Sequence, residues 1–572
     1  MSHSDLVLLH PPTVYDFRKK TILYGPVSDV VPSTPIFEMY PIGFTSIAEY
    51  LERAGYRVRI VNLAVRMLNA HHFDAENFIR KTQSWLFGID LHWLPHVQGA
   101  IEVARLVKKH HPTSAVVMGG LSASYYSREL FQYPEIDYVL RGDSTEEPLR
   151  QLMDCLSKGG DLSSVPNLTW RDGNGEIHEN PLSHVPDSLD DVMVNYYNHI
   201  LKSVVRHLDL ANYIPFKRWL RYPIMGVLTC RGCNRNCTFC GGSAFAFRRV
   251  CNRDRTVFRS PEAVAHDVQQ IQRISRGPIF ILGDIRQPGD EYASRLLELL
   301  RGQKVKNQVM TEVFGPASGD FLRKMGEACP GFCIEISPDS HDPEVRRAMG
   351  KNYTNEAMEE TILNAVMAGC KRVDVFFMIG LPKQSYQSVM DTVDYCESLL
   401  RRPELEKKVI PFIAPLAPFL DPGSLAFEHP ERHGYRLLYH TLEEHRRAML
   451  SPSWKYMLNY ETQWMTRDEI VNSTYEAGLR LNRLKAKYGI ISKDTAEEIE
   501  RRTVRASQII KQLEEIMALE DSVAIEERLA KLKPTIDNAS VSTVCEKTEL
   551  ELPVGLIKLN PLRALWSLLT GQ

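Results

Sequence analysis

Cys230-Arg-Gly-Cys233-Asn-Arg-Asn-Cys237-Thr-Phe-Cys240-Gly-Gly242 sets three thiols, Cys233, Cys237 and Cys240, at spacings of four and three residues, close enough to converge on one small object. The leading candidate for that object is an iron–sulfur cluster, because thiolates are its usual protein ligands and a cubane needs four. Three leave one iron open to a substrate or cofactor, by the logic that separates catalytic from structural zinc sites. Structural zinc is the minority alternative. Cys230-x2-Cys233 and Cys237-x2-Cys240 resemble two zinc knuckles, but zinc ribbons usually space such pairs by about 15 to 20 residues, and here only Asn234, Arg235 and Asn236 intervene. Cys230 ends the apolar run Ile224 to Leu228 and reads as a strand-end neighbour of the site rather than a ligand.

Around this loop the chain has the make-up of a globular protein. With 572 residues, 44% hydrophobic and 24% charged, it can bury more than one core, and its length implies two to four domains. A formal net charge of −2 argues against general binding of polyanions, nucleic acid included; Arg248, Arg249, Arg253 and Arg255 read as a solvated rim. Met1 to Asp5 leads straight into an apolar strand without the pattern of a signal peptide, and no run of about 18 apolar residues suits a bilayer span. The eleven cysteines do not form the framework of a secreted disulfide protein, so a cytoplasmic location is expected. Leu556 to Leu569 reads as a docking helix.

Residues 1–156 alternate strands and helices. Leu6–Leu9, Arg57–Val61, Leu86–Asp90, Ser114–Met118 and Tyr138–Leu140 are strand candidates, with helices over Ile47–Ala54, Val97–Lys108 and Glu147–Leu156. This predicts a doubly wound parallel sheet, in which ligands lie beyond the carboxyl ends of the strands. Gly119, Gly120 and Gly142 fall at such ends, where backbone can approach a ligand closely. Residues 157–222 read as a linker: a hairpin turning at Asp172-Gly-Asn-Gly175, an extended piece over Pro181–Asp191, and a helix-forming stretch over Val192–Leu220. Residues 223–418 form a second βα series. Ser260-Pro261-Glu262 has the cap, proline and carboxylate of a helix start. Strands are expected at Ile224–Cys230, Pro278–Leu282, Gln308–Phe314, Phe332–Ser337, Arg372–Ile379 and Val409–Ala414. Six units predict a partial (βα)6 barrel with its chemistry at the carboxyl ends of its strands. Residues 419–572 are expected to be mainly helical, with the aromatics Trp454, Tyr456, Tyr460, Trp464 and Tyr475 read as core.

Cys233-x3-Cys237-x2-Cys240, with Phe239 before the last cysteine, resembles the cluster loop of the radical S-adenosylmethionine (radical SAM) enzymes. The resemblance implies a [4Fe–4S] cluster whose open iron chelates S-adenosylmethionine, and an electron that cleaves the sulfonium to give a 5′-deoxyadenosyl radical. It also implies an electron donor of flavodoxin or ferredoxin type. Further contacts implied for S-adenosylmethionine are Gly283 and Asp284, where that family often carries Gly-Gly-Glu; Glu312 and Ser337, at ribose- or carboxylate-touching positions; and Gly380 in Met378-Ile-Gly-Leu-Pro382, where backbone lies along adenine. Ser337 to Lys351 resembles the family segment after the fourth strand.

The first 155 residues resemble the cobalamin (B12)-binding domain that precedes the radical module in one subclass. The matching features are Tyr40-Pro-Ile-Gly43, Met118-Gly-Gly-Leu-Ser122 and Ile136 to Glu146, implying cobalamin contacts at Gly119, Gly120, Ser122 and Gly142. The Asp-x-His-x-x-Gly signature, which supplies a cobalt ligand in many cobalamin proteins, is absent after the first strand. Asp90-Leu-His92-Trp-Leu-Pro95 imitates it after a later strand with Pro95 for glycine, so His92 reads as an ordinary loop histidine. The resemblance implies methyl transfer to a carbon or phosphorus centre of a small-molecule or lipid substrate. A radical cyclase or C–C bond-forming enzyme with the same cofactors is the alternative, and a zinc-binding interaction protein is the alternative from another class.

Overall fold

A computed structural model describes residues 4–25, 41–70, 72–191, 204–208, 210–216, 219–405, 407–415, 419–539, 545 and 549–552. Tyr40, the first part of the Val192–Leu220 stretch and the Leu556–Leu569 helix expected above lie outside these residues.

The first sheet contains β1 (Ser4–His10), β2 (Val58–Asn62), β3 (Ser84–Asp90), β4 (Ala115–Gly119), β5 (Tyr138–Leu140), β6 (Leu168–Arg171) and β7 (Ile177–Glu179), in the spatial order β2-β1-β3-β4-β5-β6-β7. The first five are parallel and the last two antiparallel. Strand alternation explains the two layers of helices. Val7 and Leu9 of β1 join Phe87, Ile89, Val116 and Met118 in a core beneath Val97–His110. Leu6 and Leu8 join Val58, Ile60, Leu86 and Val117 in a second core beneath Gly43–Arg53 and Glu146–Lys158. A sheet buried on both faces requires nearly continuous apolar strands, which is why Leu6-Val-Leu-Leu9 reads as it does. The hairpin within 157–222 extends this same sheet rather than standing apart from it.

The second sheet is entirely parallel and runs in chain order through β8 (Met225–Leu228), β11 (Ile279–Leu282), β12 (Val309–Val313), β13 (Cys333–Asp339), β14 (Arg372–Ile379) and β15 (Val409–Pro415). Neighbours in space are neighbours in sequence, with a crossover helix between most pairs, so the sheet curls as the expected partial barrel. Ile279, Ile281, Val309, Ile334, Ile336, Val373 and Val375 face the helices. The alternate positions, including Met310, Glu312, Cys333, Glu335 and Asp374, face the other way, and Phe216, Tyr222, Met310, Cys333 and Leu552 plug one end of that concave side.

Beyond residue 419 come the short antiparallel pair β16 (Tyr435–Leu437) and β17 (Tyr460–Thr462) and the helices Arg467–Lys487, Lys493–Met517 and Ser522–Ala539. Trp454, Tyr460 and Tyr475 are buried, Trp454 Nε1 donating to the Tyr475 hydroxyl at 2.9 Å, whereas Trp464 is exposed.

Candidate functional site: two strand-end centres facing one cavity

After β8 the chain enters the two-residue strand β9 (Cys230–Arg231), which pairs antiparallel with β10 (Val257–Phe258). Gly232, at φ 95°, then turns the loop in a conformation side chains resist. The loop closes into the helix Ala244–Cys251, where Ser243 Oγ accepts from Ala246 N at 3.2 Å. Barrel residues hold it from the other side. Asn234 donates through its backbone to Gln287 Oε1 and through its side chain to Gln287 O, both at 3.0 Å, and Thr238 Oγ1 donates to Ala348 O at 2.8 Å. Gly350, at φ 83°, passes so close that a Cβ there would lie 2.7 Å from Asn236 O.

Cys233, Cys237 and Cys240 are free thiols on this loop. Arg235 N donates to Cys233 Sγ at 3.4 Å and Gly242 N to Cys240 Sγ at 3.2 Å. Burial pushes all three thiols up, so metal coordination is what would hold them as thiolates at neutral pH. Among the described residues no three of the loop's sulfurs lie within 4.8 Å of one another, as ligands of one small ion would. Three cysteine sulfurs are a donor set that suits an iron–sulfur cluster with one iron left open. Cys230 Sγ points back toward Gly232 O at 3.7 Å, and burial raises that thiol to about 11.

The neighbouring strand ends place the other barrel candidates. Gly283, at φ 91°, donates its N–H to Glu312 Oε2. The Asp284 carboxylate is taken up by its own surroundings: Arg286 grips it through Nε at 2.9 Å and Nη2 at 2.6 Å, and Phe314 N donates to it at 2.9 Å. Any contact of this segment with a ligand's amino group thus falls to backbone and Glu312. Ser337 offers its carbonyl to Lys351 Nζ, which also holds Asp339 Oδ1 at 2.7 Å. Burial opposes the Lys351 charge, but Asp339 outweighs it and the pKa is raised. Gly380, at φ 89°, donates to Gln384 Oε1 at 2.9 Å, and a Cβ there would meet the Tyr460 hydroxyl at 2.5 Å. Phe239 packs partly buried against the core.

Across from the barrel, the carboxyl ends of the first sheet form the opposite wall of a cavity. Gly119, Gly120, Gly142 and His92 line it from one side and Cys230, Arg231 and Gly232 from the other. Gly119 leaves space, since a Cβ there would be 3.7 Å from Leu140 O. Gly120, at φ 117°, has a different duty: a Cβ would lie 2.4 Å from His92 Cα, so the missing side chain lets the loop after β3 close. Ser122 is buried in the short helix Leu121–Tyr125, and Gly142 N donates to Ser124 Oγ at 2.9 Å.

Sequence reasoning passed over Arg231 and Glu335 here, and it placed Arg253 in a solvated rim, whereas that side chain is buried against Asp143. Arg231 reaches Glu146 Oε2 at 3.0 Å and Ser144 Oγ at 2.9 Å, and Arg253 reaches Asp143 Oδ1 at 3.0 Å, so two buried cations clasp the β5 loop. Both arginines were visible beside the cysteines, but their partners lie about 85 to 110 residues away. Glu335 stands in register between Glu312 and Asp374; burial and their two charges push its carboxyl up to about 8. His10, Asp90 and His92 form a further cluster beside the cavity.

This architecture, a nucleotide-type parallel sheet facing a cysteine-bearing partial barrel, defines a two-module cofactor protein. The model of the radical SAM superfamily matches residues 227–396, and that of the B12-binding domain matches residues 29–150. The chain therefore carries a radical SAM domain and a B12-binding domain, and these domains imply a [4Fe–4S] cluster, S-adenosylmethionine and cobalamin as cofactors. Among curated relatives it is 25% identical over 296 residues to the hopanoid C-3 methylase of Methylococcus capsulatus, covering 49% of this chain and 50% of that protein. It is 24% identical over 431 residues to the cytidylyl-2-hydroxyethylphosphonate methyltransferase of Streptomyces wedmorensis, covering 66% and 78%. The chain thus spans half the length of the first relative. Among solved structures it resembles the methyltransferase TsrM from Kitasatospora setae (TM-score 0.55, 17% identity, 76% of this chain and 77% of that one). It also resembles the cobalamin-dependent radical enzyme OxsB (TM-score 0.55, 14% identity, 96% and 78%). At such identities these likenesses speak for the fold.

Proposed function

We propose that this chain transfers a methyl group to a carbon or phosphorus centre of a small-molecule or lipid substrate. The observation that carries the proposal is a cavity walled on one side by Gly119, Gly120 and Gly142 and on the other by Cys230, Arg231 and Gly232, the residues that lead into the cysteine loop, because methyl transfer between two cofactors requires their sites to adjoin. The names of the relatives favour the same reaction while differing in substrate: a hopanoid, a cytidylyl-phosphonate and a pantetheinyl-carbapenam.

When bound, the cluster and S-adenosylmethionine supply hydrogen abstraction, and cobalamin supplies a methyl carrier. In this reading Cys233, Cys237 and Cys240 hold the cluster while Phe239 packs behind the loop. Gly283, Glu312, Ser337 and Gly380 line the S-adenosylmethionine site, with Asp284 serving through Arg286 to shape the strand end. Gly119, Gly120, Ser122 and Gly142 form the corrinoid floor, and the Arg231–Glu146 pair fixes one floor against the other. Divisions at 1–156, 157–222, 223–418 and 419–572 describe the organisation, the last part covering the barrel and shaping substrate access. A flavodoxin- or ferredoxin-type donor in a reducing cytoplasm completes the proposal; none of the described helices is long and apolar enough to cross a membrane.

The test is anaerobic reconstitution with iron, sulfide, cobalamin and methyl-labelled S-adenosylmethionine. The expected products are 5′-deoxyadenosine and cobalamin-dependent S-adenosylhomocysteine, with label in the product once a substrate is supplied. Formation of 5′-deoxyadenosine alone, unchanged by cobalamin, refutes methyl transfer.

A further inference from the structure

Glu312 of β12, Glu335 of β13 and Asp374 of β14 stand in register across three neighbouring strands of the barrel. Strand alternation turns all three to the concave side, because Ile334, Ile336, Val373 and Val375 between them are buried against the helices. Two of the three have partners. Glu312 Oε2 accepts the Gly283 N–H, and Asp374 Oδ1 accepts from Arg372 Nε at 2.7 Å. Arg372 is otherwise committed to the carbonyls of Glu549 and Glu551, and the next cation, Lys485, holds Glu549 Oε2 at 2.8 Å. Glu335 makes no hydrogen bond or ion pair among the described residues.

Its side chain nonetheless keeps accessible surface. Glu335 is half-buried, while Ile334 and Ile336 on either side of it are closed off at 0% and 1% exposure. That surface does not face the outside of the molecule: burial, ahead of the charges of Glu312 and Asp374, raises its carboxyl pKa, the sign of enclosure by protein rather than by bulk water. The open surface therefore belongs to the hollow of the barrel.

The strand fixes the height of Glu335 in that hollow. Two residues toward the amino end is Cys333, part of the apolar plug with Phe216, Tyr222, Met310 and Leu552. Two residues toward the carboxyl end is Ser337, at the level of the S-adenosylmethionine candidates. At that upper level Phe376, half-buried and one pleat beyond Asp374, stacks on Phe412 with ring centroids 4.8 Å apart and planes 15° from parallel. Aromatic faces attract cations, and Lys485 Nζ already lies 4.4 Å from the centre of the Phe412 ring. Below the strand ends the hollow thus offers an apolar floor, an aromatic wall and one carboxyl without a partner. A charged carboxyl held away from water is costly unless a cation matches it, and the aromatic wall favours the same kind of group.

We propose that Glu335 recognises the substrate by pairing with a primary ammonium group, which points toward the plug while the rest of the substrate rises past Phe376 to the strand ends. The proposal rests on the reading of the barrel as the space in which a substrate is methylated.

The experiment titrates 2-phenylethylammonium and its uncharged counterpart 2-phenylethanol into the full chain, anaerobically and with the cluster in place by iron and sulfide analysis, and reads binding by saturation-transfer NMR of the probes. Wild type, Glu335→Gln and, as a control on the exposed surface, Glu327→Gln are compared. The expected result is that wild type and the control bind the ammonium probe alike and in preference to the alcohol, and that Glu335→Gln binds it at least about tenfold more weakly, since removing one partner of a buried charge pair costs more than one decade in affinity. The alcohol binds wild type and Glu335→Gln equally. No preference of wild type for the ammonium, or undiminished ammonium binding by Glu335→Gln, overturns the assignment; so does equal loss of both probes, which marks a purely structural role. Each of these outcomes leaves methyl transfer standing, because that reading is refuted separately, by 5′-deoxyadenosine formation that cobalamin does not change.

Discussion

Arg231→Met tests whether the two cofactor modules are clasped where the structure places the clasp. Arg231 and Glu146 are nearly excluded from solvent, their side chains 9% and 5% exposed, and Ser46 Oγ adds a hydrogen bond to the same carboxylate at 2.6 Å. Burial would raise the Glu146 pKa, yet the Arg231 charge outweighs it and holds the group ionised. Methionine keeps much of the stem while deleting the cation, leaving a buried carboxylate uncompensated. Breaking such a pair from one side costs about 3–5 kcal/mol, whereas an exposed pair is worth about 1 kcal/mol or less.

The cost falls on local opening of the β5 and β9 loops rather than on the barrel strands. Hydrogen exchange in peptides spanning 143–146 and 229–233 therefore quickens by roughly 10²- to 10³-fold, at about 1.4 kcal/mol per decade, while β13 and β14 keep their protection. The double variant Arg231→Met with Glu146→Met removes both charges and recovers most of the loss, because a buried pair replaced by apolar groups is often neutral or better. Exchange within threefold of wild type in the single variant, or a double variant no better than the single, refutes the reasoning.

Cys233→Ala, Cys237→Ala and Cys240→Ala each abolish 5′-deoxyadenosine formation in the reconstituted enzyme while Cys230→Ala keeps much of it; equal loss in all four overturns the ligand assignment. Gly350→Ala drives a Cβ to 2.7 Å from Asn236 O at φ 83° and lowers cluster content per chain by iron and sulfide analysis, and an unchanged content shows that the loop gives way. Glu335 ionises near pH 8 in the folded chain against an ordinary 4.5. The folded state thus holds the proton more tightly between those values, and the group's contribution to stability is complete below pH 4.5, falls by about 1.4 kcal/mol per pH unit and is gone above pH 8. Glu335→Gln removes that slope in denaturant titrations, and a wild-type-minus-variant difference that is flat across the window contradicts the assignment.

Local chemistry was legible in the sequence; pairing across long separations was not. The cysteine spacing, the strand-end positions of Gly119, Gly120 and Gly142 and the Ser260-Pro261-Glu262 helix start are each readable within a few residues, and Ser260 Oγ indeed caps Ala263 N at 3.2 Å. The six barrel strands were visible because each is short, apolar and followed by a helix. Asp284 shows the limit: its charge suited a ligand contact, but Arg286 two residues on takes both oxygens. His92 shows the same limit from the other direction, since nothing near it in the chain reveals that His10, 80 residues before Asp90, shares that carboxylate. The hairpin of β6 and β7 was legible as a hairpin, but its attachment to β5 depends on an edge that only the assembled sheet presents.

The glycine pair after Cys240 gains its physical account from the same long-range pairing. A Cβ on Gly241 would lie 2.7 Å from Asp421 Cβ, and the missing side chain lets the Asp421 carboxylate accept from Gly241 N while its other oxygen accepts from Trp93 Nε1. One carboxylate from the chain beyond the barrel thus ties the loop after the last cysteine to the loop that carries His92. Neither loop belongs to a strand or helix long enough to fix its own position, so this bridge and the Arg231–Glu146 clasp are direct ties between the cysteine stretch and the loops of the first sheet. Two centres that must share one reacting space need their relative placement held more tightly than their individual shapes. Here that placement depends on Asp421, Glu146 and Arg231, with only Arg231 lying inside the cysteine stretch.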